Sequence, residues 1–135
     1  MKKFGIIPAV AAIVILLLSL TGCQNTAGTG EEFTLSIGQT VNIADEDLKI
    51  TFKEVSGDSR CPTGVVCVWA GEVTCVMRIE EGGFIYELDF VHSGATDDYS
   101  QMNFNNYRYT FKVEPYPVSG QDISDSKYKI LLTVN

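Results

Sequence analysis

The stretch Leu48-Lys49-Ile50-Thr51-Phe52-Lys53 decides the fold, because apolar and polar residues alternate through it without interruption. Successive side chains of a β-strand point to opposite faces, so strict alternation predicts a strand with one buried and one solvated face. The acidic turn Asp45-Glu46-Asp47 comes before this strand, and the short strand Val41-Asn42-Ile43 is predicted before the turn.

The same two-residue period recurs along most of the chain. Apolar residues occupy every second position in residues 33–37, 73–79, 84–90, 107–113 and 128–134. The Glu81-Gly82-Gly83 sequence predicts a tight hairpin, and no segment after residue 30 has a helical period. We therefore predict an all-β fold, an antiparallel β-sandwich of about seven strands and immunoglobulin-like size, which follows an N-terminal signal helix. A small barrel is the alternative.

The N-terminus has the organisation of an export signal. Met1-Lys2-Lys3 precedes a largely apolar run over residues 4–20, and the run ends in Leu20-Thr21-Gly22-Cys23. A basic start, an apolar centre and small residues at the end are typical of such signals. A plain secretory signal and an uncleaved signal anchor are the alternatives, since a run of 17 residues is at the short limit for a membrane span.

The Leu-x-Gly-Cys ending resembles the lipobox of bacterial lipoproteins. The resemblance implies that Cys23 is lipidated and becomes the mature N-terminus. We expect a signal peptide at residues 1–22, the lipidated cysteine with a flexible tether at 23–31 and the β-sandwich at 32–135. The domain would be extracytoplasmic and lipid-anchored to the cell membrane. Residue 24 is Gln and not Asp, which favours the outer membrane in a diderm organism.

Charge limits the partners of the mature chain. Removal of residues 1–22 leaves eight Lys and Arg against 17 Asp and Glu, a net charge of −9. Phosphates repel such a surface, so nucleic acid is not expected as a partner. The expected contacts are the membrane, through the N-terminal lipid, and an envelope protein or a small ligand.

Cysteine usage predicts one disulfide. Cys61, Cys67 and Cys75 remain after Cys23, and export exposes them to an oxidising compartment. Cys61 and Cys67 enclose five residues that include Pro62 and Gly64, a composition that turns the chain back. We predict a Cys61–Cys67 disulfide and a buried free thiol at Cys75. Redox catalysis and a zinc site are weaker alternatives, and no metal or cofactor is expected.

The residues around these cysteines resemble a signature of small exported and lipid-anchored bacterial proteins. The matching parts are Asp58-Ser59-Arg60-Cys61-Pro62 and Cys67-Val68-Trp69-Ala70-Gly71, with Val113-Glu114-Pro115-Tyr116-Pro117 before the last strand. The resemblance covers most of residues 33–134. It implies a β domain in which one strand leads into the first cysteine and another leaves Trp69, and it implies no activity.

We interpret the chain as a non-catalytic binding module that contacts its partner through the disulfide-pinned loop and the 92–106 connection. A protease inhibitor using the same loop, with Arg60 or Val65 and Val66 exposed, is a narrower version. Trp69 shares strand parity with Cys67 and is predicted to pack in the core; an exposed contact role is its alternative. Arg60 is expected to pair with Asp58 or to lie over the Trp69 ring. The candidate contact residues are Arg60, Pro62, Val65, Val66, Trp69, Tyr99 and Phe104.

Two other classes stay open. A small hydrolase would use Glu87, Asp89, His92 or Asp97, and it predicts a concave pocket that holds at least two of them. A structural envelope lipoprotein predicts loops that pack tightly onto the sandwich. The aromatic and amide-rich residues 99–107 are compatible with sugar binding or with an ordinary β-turn region.

Overall fold

The computed structural model describes residues 25–135, which form two packed β-sheets. The predicted signal peptide and Cys23 lie outside the described residues. The strands are β1 (Asn25–Ala27), β2 (Glu32–Ser36), β3 (Thr40–Ile43), β4 (Leu48–Asp58), β5 (Glu72–Glu81), β6 (Phe84–Ser93), β7 (Ser100–Phe104), β8 (Tyr107–Glu114) and β9 (Lys129–Val134). A 3₁₀ helix covers Asp125–Lys127. No helix within residues 25–135 is long and apolar enough to cross a membrane.

The sandwich prediction is confirmed. One sheet has the order β1-β3-β4-β5-β6 and the other has the order β2-β9-β8-β7. Neighbouring strands are antiparallel except β1 and β3, which run parallel. The hairpin between β5 and β6 turns at Gly82 and Gly83, and both have positive φ as a tight two-residue turn requires.

The core consists of the residues that the alternation assigns to the inner faces. Its largest fully buried side chains include Phe52, Phe90, Tyr109 and Phe111. The ring of Phe90 lies 4.9 Å from that of Phe111 and 5.3 Å from that of Tyr109, so the aromatic residues of the two sheets meet at the centre. The buried residues of this cluster all lie between Ala27 and Val134, so the described chain encloses a core of its own.

Two strands, β1 and β7, are not predicted by the sequence pattern. The pattern predicts a long connection over residues 92–106, but residues 100–104 form β7, which pairs with β8. The five residues of β7 alternate in exposure, but three of them are polar, so the sequence shows no clear alternation of apolar residues. Residues 100–114 therefore form a β-hairpin, which corresponds to the β-turn alternative to a sugar-binding loop.

Part of the flexible tether predicted over residues 23–31 is ordered in the described chain. Asn25 to Ala27 form β1 beside β3, and Ala27 is buried against the core. The N–H of Gly30 donates to the carbonyl of Val134 over 2.7 Å, which ties the following turn to the last strand. Small polar residues lack the apolar alternation of a strand, but backbone pairing and one buried alanine suffice to order them at a sheet edge.

The structure confirms a buried free thiol at Cys75, and its reactivity follows from its position. Cys75 is fully buried on β5, and burial raises the pKa of its thiol to about 12. Iodoacetamide at pH 8 should therefore label none of Cys61, Cys67 and Cys75 in the native chain and Cys75 alone after unfolding without reductant. Intact mass and peptide mapping measure this. Two or three labels in the unreduced chain would contradict the disulfide.

Candidate functional site

The candidate site is the segment between Asp58 and Glu72, which extends the β4–β5 ladder beyond the sheet. The N–H of Ser59 donates to the Glu72 carbonyl and the N–H of Cys61 to the Ala70 carbonyl, both over 2.8 Å. The predicted disulfide then joins the two sides of the segment, with 5.9 Å between the Cα atoms of Cys61 and Cys67. Beyond this bridge the chain is no longer paired as a ladder.

Two glycines allow the backbones at the base of this segment to approach closely. Gly71 has a φ of 71°, and a Cβ placed on it would lie 1.8 Å from the Ser59 carbonyl oxygen. A Cβ on Gly94 would lie 2.4 Å from the Ala70 carbonyl oxygen. The N–H of Gly94 donates to the Gly71 carbonyl over 2.9 Å, so the loop base is joined to the end of β6.

Arg60 and Asp58 form a buried ion pair beneath the loop. The Nε and Nη2 atoms of Arg60 lie 2.9 and 2.6 Å from the two carboxylate oxygens of Asp58. The exposed fractions of these side chains are 1% and 11%. The two-point geometry is the one in which a guanidinium binds a carboxylate most strongly. The predicted Arg60–Asp58 pairing is therefore present.

Arg60 also binds the chain that follows β8. Its Nη1 donates to the Val113 carbonyl over 3.1 Å, and its Nη2 donates to the Pro115 carbonyl over 2.9 Å. The guanidinium lies 5.3 Å from the centre of the Tyr116 ring. The aromatic ring beside Arg60 is therefore that of Tyr116 and not that of Trp69. One side chain joins the cysteine loop to the other sheet.

The electrostatics of Asp58 reflect two opposing effects. Burial raises the pKa of the carboxyl, but the hydrogen bonds and positive charge of Arg60 outweigh it, and the net pKa is lower than the ordinary value. The hydroxyl of Tyr128 donates to the same carboxylate over 3.0 Å. Burial and this hydrogen bond raise the pKa of Tyr128 to about 12, so the phenol stays protonated as a donor.

Residues 115–119 brace the other side of the loop. The N–H of Thr63 donates to the Pro117 carbonyl over 3.0 Å, and the N–H of Ser119 donates to the Thr63 carbonyl over 3.1 Å. The Tyr116 hydroxyl donates to the Cys61 carbonyl over 2.9 Å. The loop is thus held by its disulfide, by a buried charge and by a neighbouring segment.

Beyond these supports, the loop exposes a cluster of apolar side chains that we call the apolar tip. Val66 and Val68 are fully exposed, and Trp69 is 71% exposed. Exposed side chains of this size on one short loop are uncommon on a protein surface that has no partner. The tip consists of Val65, Val66, Val68 and Trp69 of this loop, together with the exposed Val118 of the neighbouring segment 115–119.

The structure corrects two predictions for this loop. The core role predicted for Trp69 is wrong, because the chain leaves the sheet at the disulfide and strand parity no longer determines the direction of side chains. Arg60 is buried at 3% exposure, so it is not a contact residue and cannot enter a protease cleft. Val68 was not predicted, although it lies between Cys67 and Trp69. Pro62 is half-buried near the base, whereas Val65 and Val66 are exposed as the inhibitor version requires.

The other two predicted contact residues do not join the tip. The Tyr99 hydroxyl donates to the Glu32 carboxylate over 2.6 Å, and the ring is partly exposed. Phe104 packs its ring 5.0 Å from that of Tyr86. Its neighbour Asn105 donates to Glu81 beside the β5–β6 turn, far from the cysteine loop at the other end of β5.

The candidate hydrolase residues are dispersed. Glu87 and Asp89 lie on the open outer face of β6, where Lys53 pairs with Glu87 and lowers its pKa. His92 is buried, its Nδ1 lies 3.0 Å from the Ser100 hydroxyl, and burial is the main cause of its lowered pKa. Asp97 pairs with Lys112 over 3.0 Å. Among residues 25–135, no three His, Cys, Asp or Glu side chains converge to hold a metal ion.

One open hollow lies beside the loop. It has a volume of about 470 Å³, and its lining residues are Thr63, Gly94, Ala95, Thr96, Asp97 and Tyr116. Asp97 is the one candidate hydrolase residue that contributes to it. Comparisons of the chain with protein-family models, with curated proteins and with solved structures found no match.

We predict that the fold depends on Arg60 far more than on a surface arginine. Arg60→Met should lower the free energy of unfolding by about 3–5 kcal/mol, because it leaves the Asp58 charge buried without its partner. The matched control is Arg78→Met, since Arg78 forms a half-exposed pair with Glu80 over 2.9 Å. Arg78→Met should lower the free energy of unfolding by about 0–1 kcal/mol. Urea unfolding followed by circular dichroism measures both.

The pH dependence separates lost charge pairing from lost packing. The lowered pKa of Asp58 stabilises the native chain above the ordinary carboxyl pKa of 3.8, and this stabilisation is lost as pH falls through the folded-state value. The difference in the free energy of unfolding between the native chain and Arg60→Met should therefore be largest at neutral pH and should decrease on acidification toward pH 3. A difference that is constant with pH would assign the effect to packing alone.

Proposed function

We propose that the protein is a lipid-anchored, non-catalytic binding module of the extracytoplasmic cell envelope, which contacts a partner protein through its apolar tip. The observation that carries the proposal is the exposure of Val66, Val68 and Trp69 on a loop that is otherwise firmly held. A tryptophan on such a surface is the residue type most enriched at the energetic centre of interfaces.

The shape of the site favours a macromolecular partner over a small ligand. Small ligands occupy concave sites that enclose most of their surface. Here the apolar side chains lie on a projecting loop, and the neighbouring hollow is open. A projecting apolar knob fits a groove of another protein, where its side chains can be desolvated.

The supports of the loop favour binding rather than a purely structural role. A structural protein would have the loop packed on the sandwich, but only the base is packed. The disulfide and the Arg60 contacts fix the base before any partner arrives. A pre-organised loop loses less conformational entropy on association, so more of the contact energy appears as affinity.

The proposed location rests on the sequence resemblance and on the disulfide. Disulfides form and persist in oxidising compartments outside the cytoplasm, and this one closes an exposed loop. The net charge of −9 calculated for the mature chain disfavours anionic lipid as the surface that the domain itself contacts. Attachment would then come from the acyl chains at Cys23.

We predict that Trp69→Ala and Val66→Asp each abolish partner capture without unfolding the domain. Both side chains are exposed, so the free energy of unfolding should change by less than about 0.5 kcal/mol. Loss of a central tryptophan should weaken binding by about 2 kcal/mol or more, roughly thirtyfold. The measurement is cross-linking capture from envelope extracts with residues 24–135 as bait, and then titration of the purified partner.

The matched control is Phe84→Ala, because Phe84 is an aromatic residue of similar exposure, 67%, at the opposite end of the sandwich. It should retain full binding. Equal capture by native, Trp69→Ala and Phe84→Ala baits would remove the tip from the interface. Two further arms test other uses of the tip: binding to phosphatidylcholine vesicles, and inhibition of an elastase-like protease by the exposed Val65 and Val66.

Anchoring is a separate prediction with a separate readout. The full chain should incorporate labelled fatty acid and partition into detergent, and Cys23→Ala should abolish both. Two acyl signals hold a protein stably on a membrane, whereas one holds it marginally. A Cys23→Ala chain that stays membrane-bound would indicate an uncleaved signal anchor, and release into the medium by both chains would indicate a plain secretory signal.

A further inference from the structure

A second surface of the sandwich, independent of the apolar tip, has the properties of a strand-pairing site. This surface is the outer edge of β6 (Phe84–Ser93). The strand pairs along all ten residues with β5, and no register shift interrupts the ladder. It ends its sheet, and within residues 25–135 no strand pairs with its other side.

The hairpin turn determines which backbone groups of β6 are free. In a two-residue hairpin the residues next to the turn, here Glu81 and Phe84, exchange hydrogen bonds, and bonded and non-bonded pairs then alternate. The non-bonded residues therefore direct their N–H and C=O groups away from β5. These residues are Ile85, Glu87, Asp89, Val91 and Ser93, and the side chains of the first four are exposed.

Natural sheets protect such an edge with short strands, prolines, bulges or lysines. β6 has no proline, lysine or arginine, its pairing with β5 is regular, and the charges at its exposed positions are the acidic Glu87 and Asp89. The other edge strands are shorter: β1 has three residues, and β2 and β7 have five each. β6 is thus the longest edge strand of the described sandwich.

Charge disfavours the symmetric pairing of two copies of β6 about Leu88. Two β6 strands paired antiparallel about Leu88 would place Glu87 of one opposite Asp89 of the other, and like charges directly opposite are unfavourable. Lys53 of β4 already pairs with Glu87. Asp89 has no ion-pair partner among residues 25–135, so a basic residue on the added strand would form an ion pair with it.

We propose that the β6 edge accepts an extended segment of another protein by strand addition. The segment carries Lys or Arg opposite Glu87 and Asp89, and β-branched apolar residues opposite Ile85 and Val91. Backbone hydrogen bonds to the free residues of β6 supply the affinity, and the alternating side chains supply the selectivity. The site is distinct from the apolar tip, so the domain has two independent binding surfaces.

The test uses a synthetic probe, the peptide Val-Thr-Lys-Thr-Lys-Thr-Ile, and NMR hydrogen exchange on residues 24–135. At a peptide concentration ten times its Kd, the amides of Ile85, Glu87, Asp89 and Val91 should exchange about tenfold more slowly. The amides of Tyr86 and Leu88 should not change, because they already bond to β5. Trp69→Ala should leave this protection unchanged, which separates the edge from the tip.

Three controls make the proposal falsifiable. A peptide with Glu in place of both Lys should lose binding, and Asp89→Lys should weaken the preference for the Lys peptide over the Glu peptide without changing the thermal unfolding midpoint. A peptide with N-methylated edge amides should fail to protect. Equal binding by the N-methylated peptide would show that charge attraction alone holds the peptide, and it would overturn strand addition. Absence of edge protection at millimolar peptide would also overturn it, as would protection that appears with rising protein concentration alone.

Discussion

The buried pair of Arg60 and Asp58 is the interaction on which the functional end of the molecule depends. A guanidinium that is 1% exposed requires a full set of partners, and it obtains them from Asp58 and from two carbonyls after β8. Because these partners come from different sheets, satisfying one charge fixes the relative positions of the cysteine loop and the chain after β8. Hydrophobic burial holds the two sheets together, and this polar cluster fixes the cysteine loop against the chain after β8.

The alternation of apolar residues was sufficient to predict the seven main strands, because each has one buried face. It failed where burial is not the organising force. β1 is ordered by backbone pairing at an edge, and its residues Asn25 and Thr26 are polar and exposed. β7 lies at another edge with its polar residues on the outside. A period-two pattern cannot report strands that bury little.

The loop shows a different limit of sequence reasoning. The cysteine spacing was sufficient to predict the disulfide, and the sequence neighbours suggested the Arg60–Asp58 pair. The direction of Trp69 depended on where the ladder ends, which is decided by contacts with Tyr116 and Pro117 more than 45 residues later. The free edge of β6 likewise depends on strand order, which the hydrophobic pattern does not contain.

The position of β1 limits the distance between Cys23 and the folded domain. Asn25 is already paired in the sheet, so at most about 7 Å of extended chain separates it from Cys23. On the proposed lipidation of Cys23, the domain would therefore stay within a thin layer above the membrane. A partner in the same membrane would then be reached by lateral diffusion, and confinement to this layer would raise the effective concentration of the two proteins.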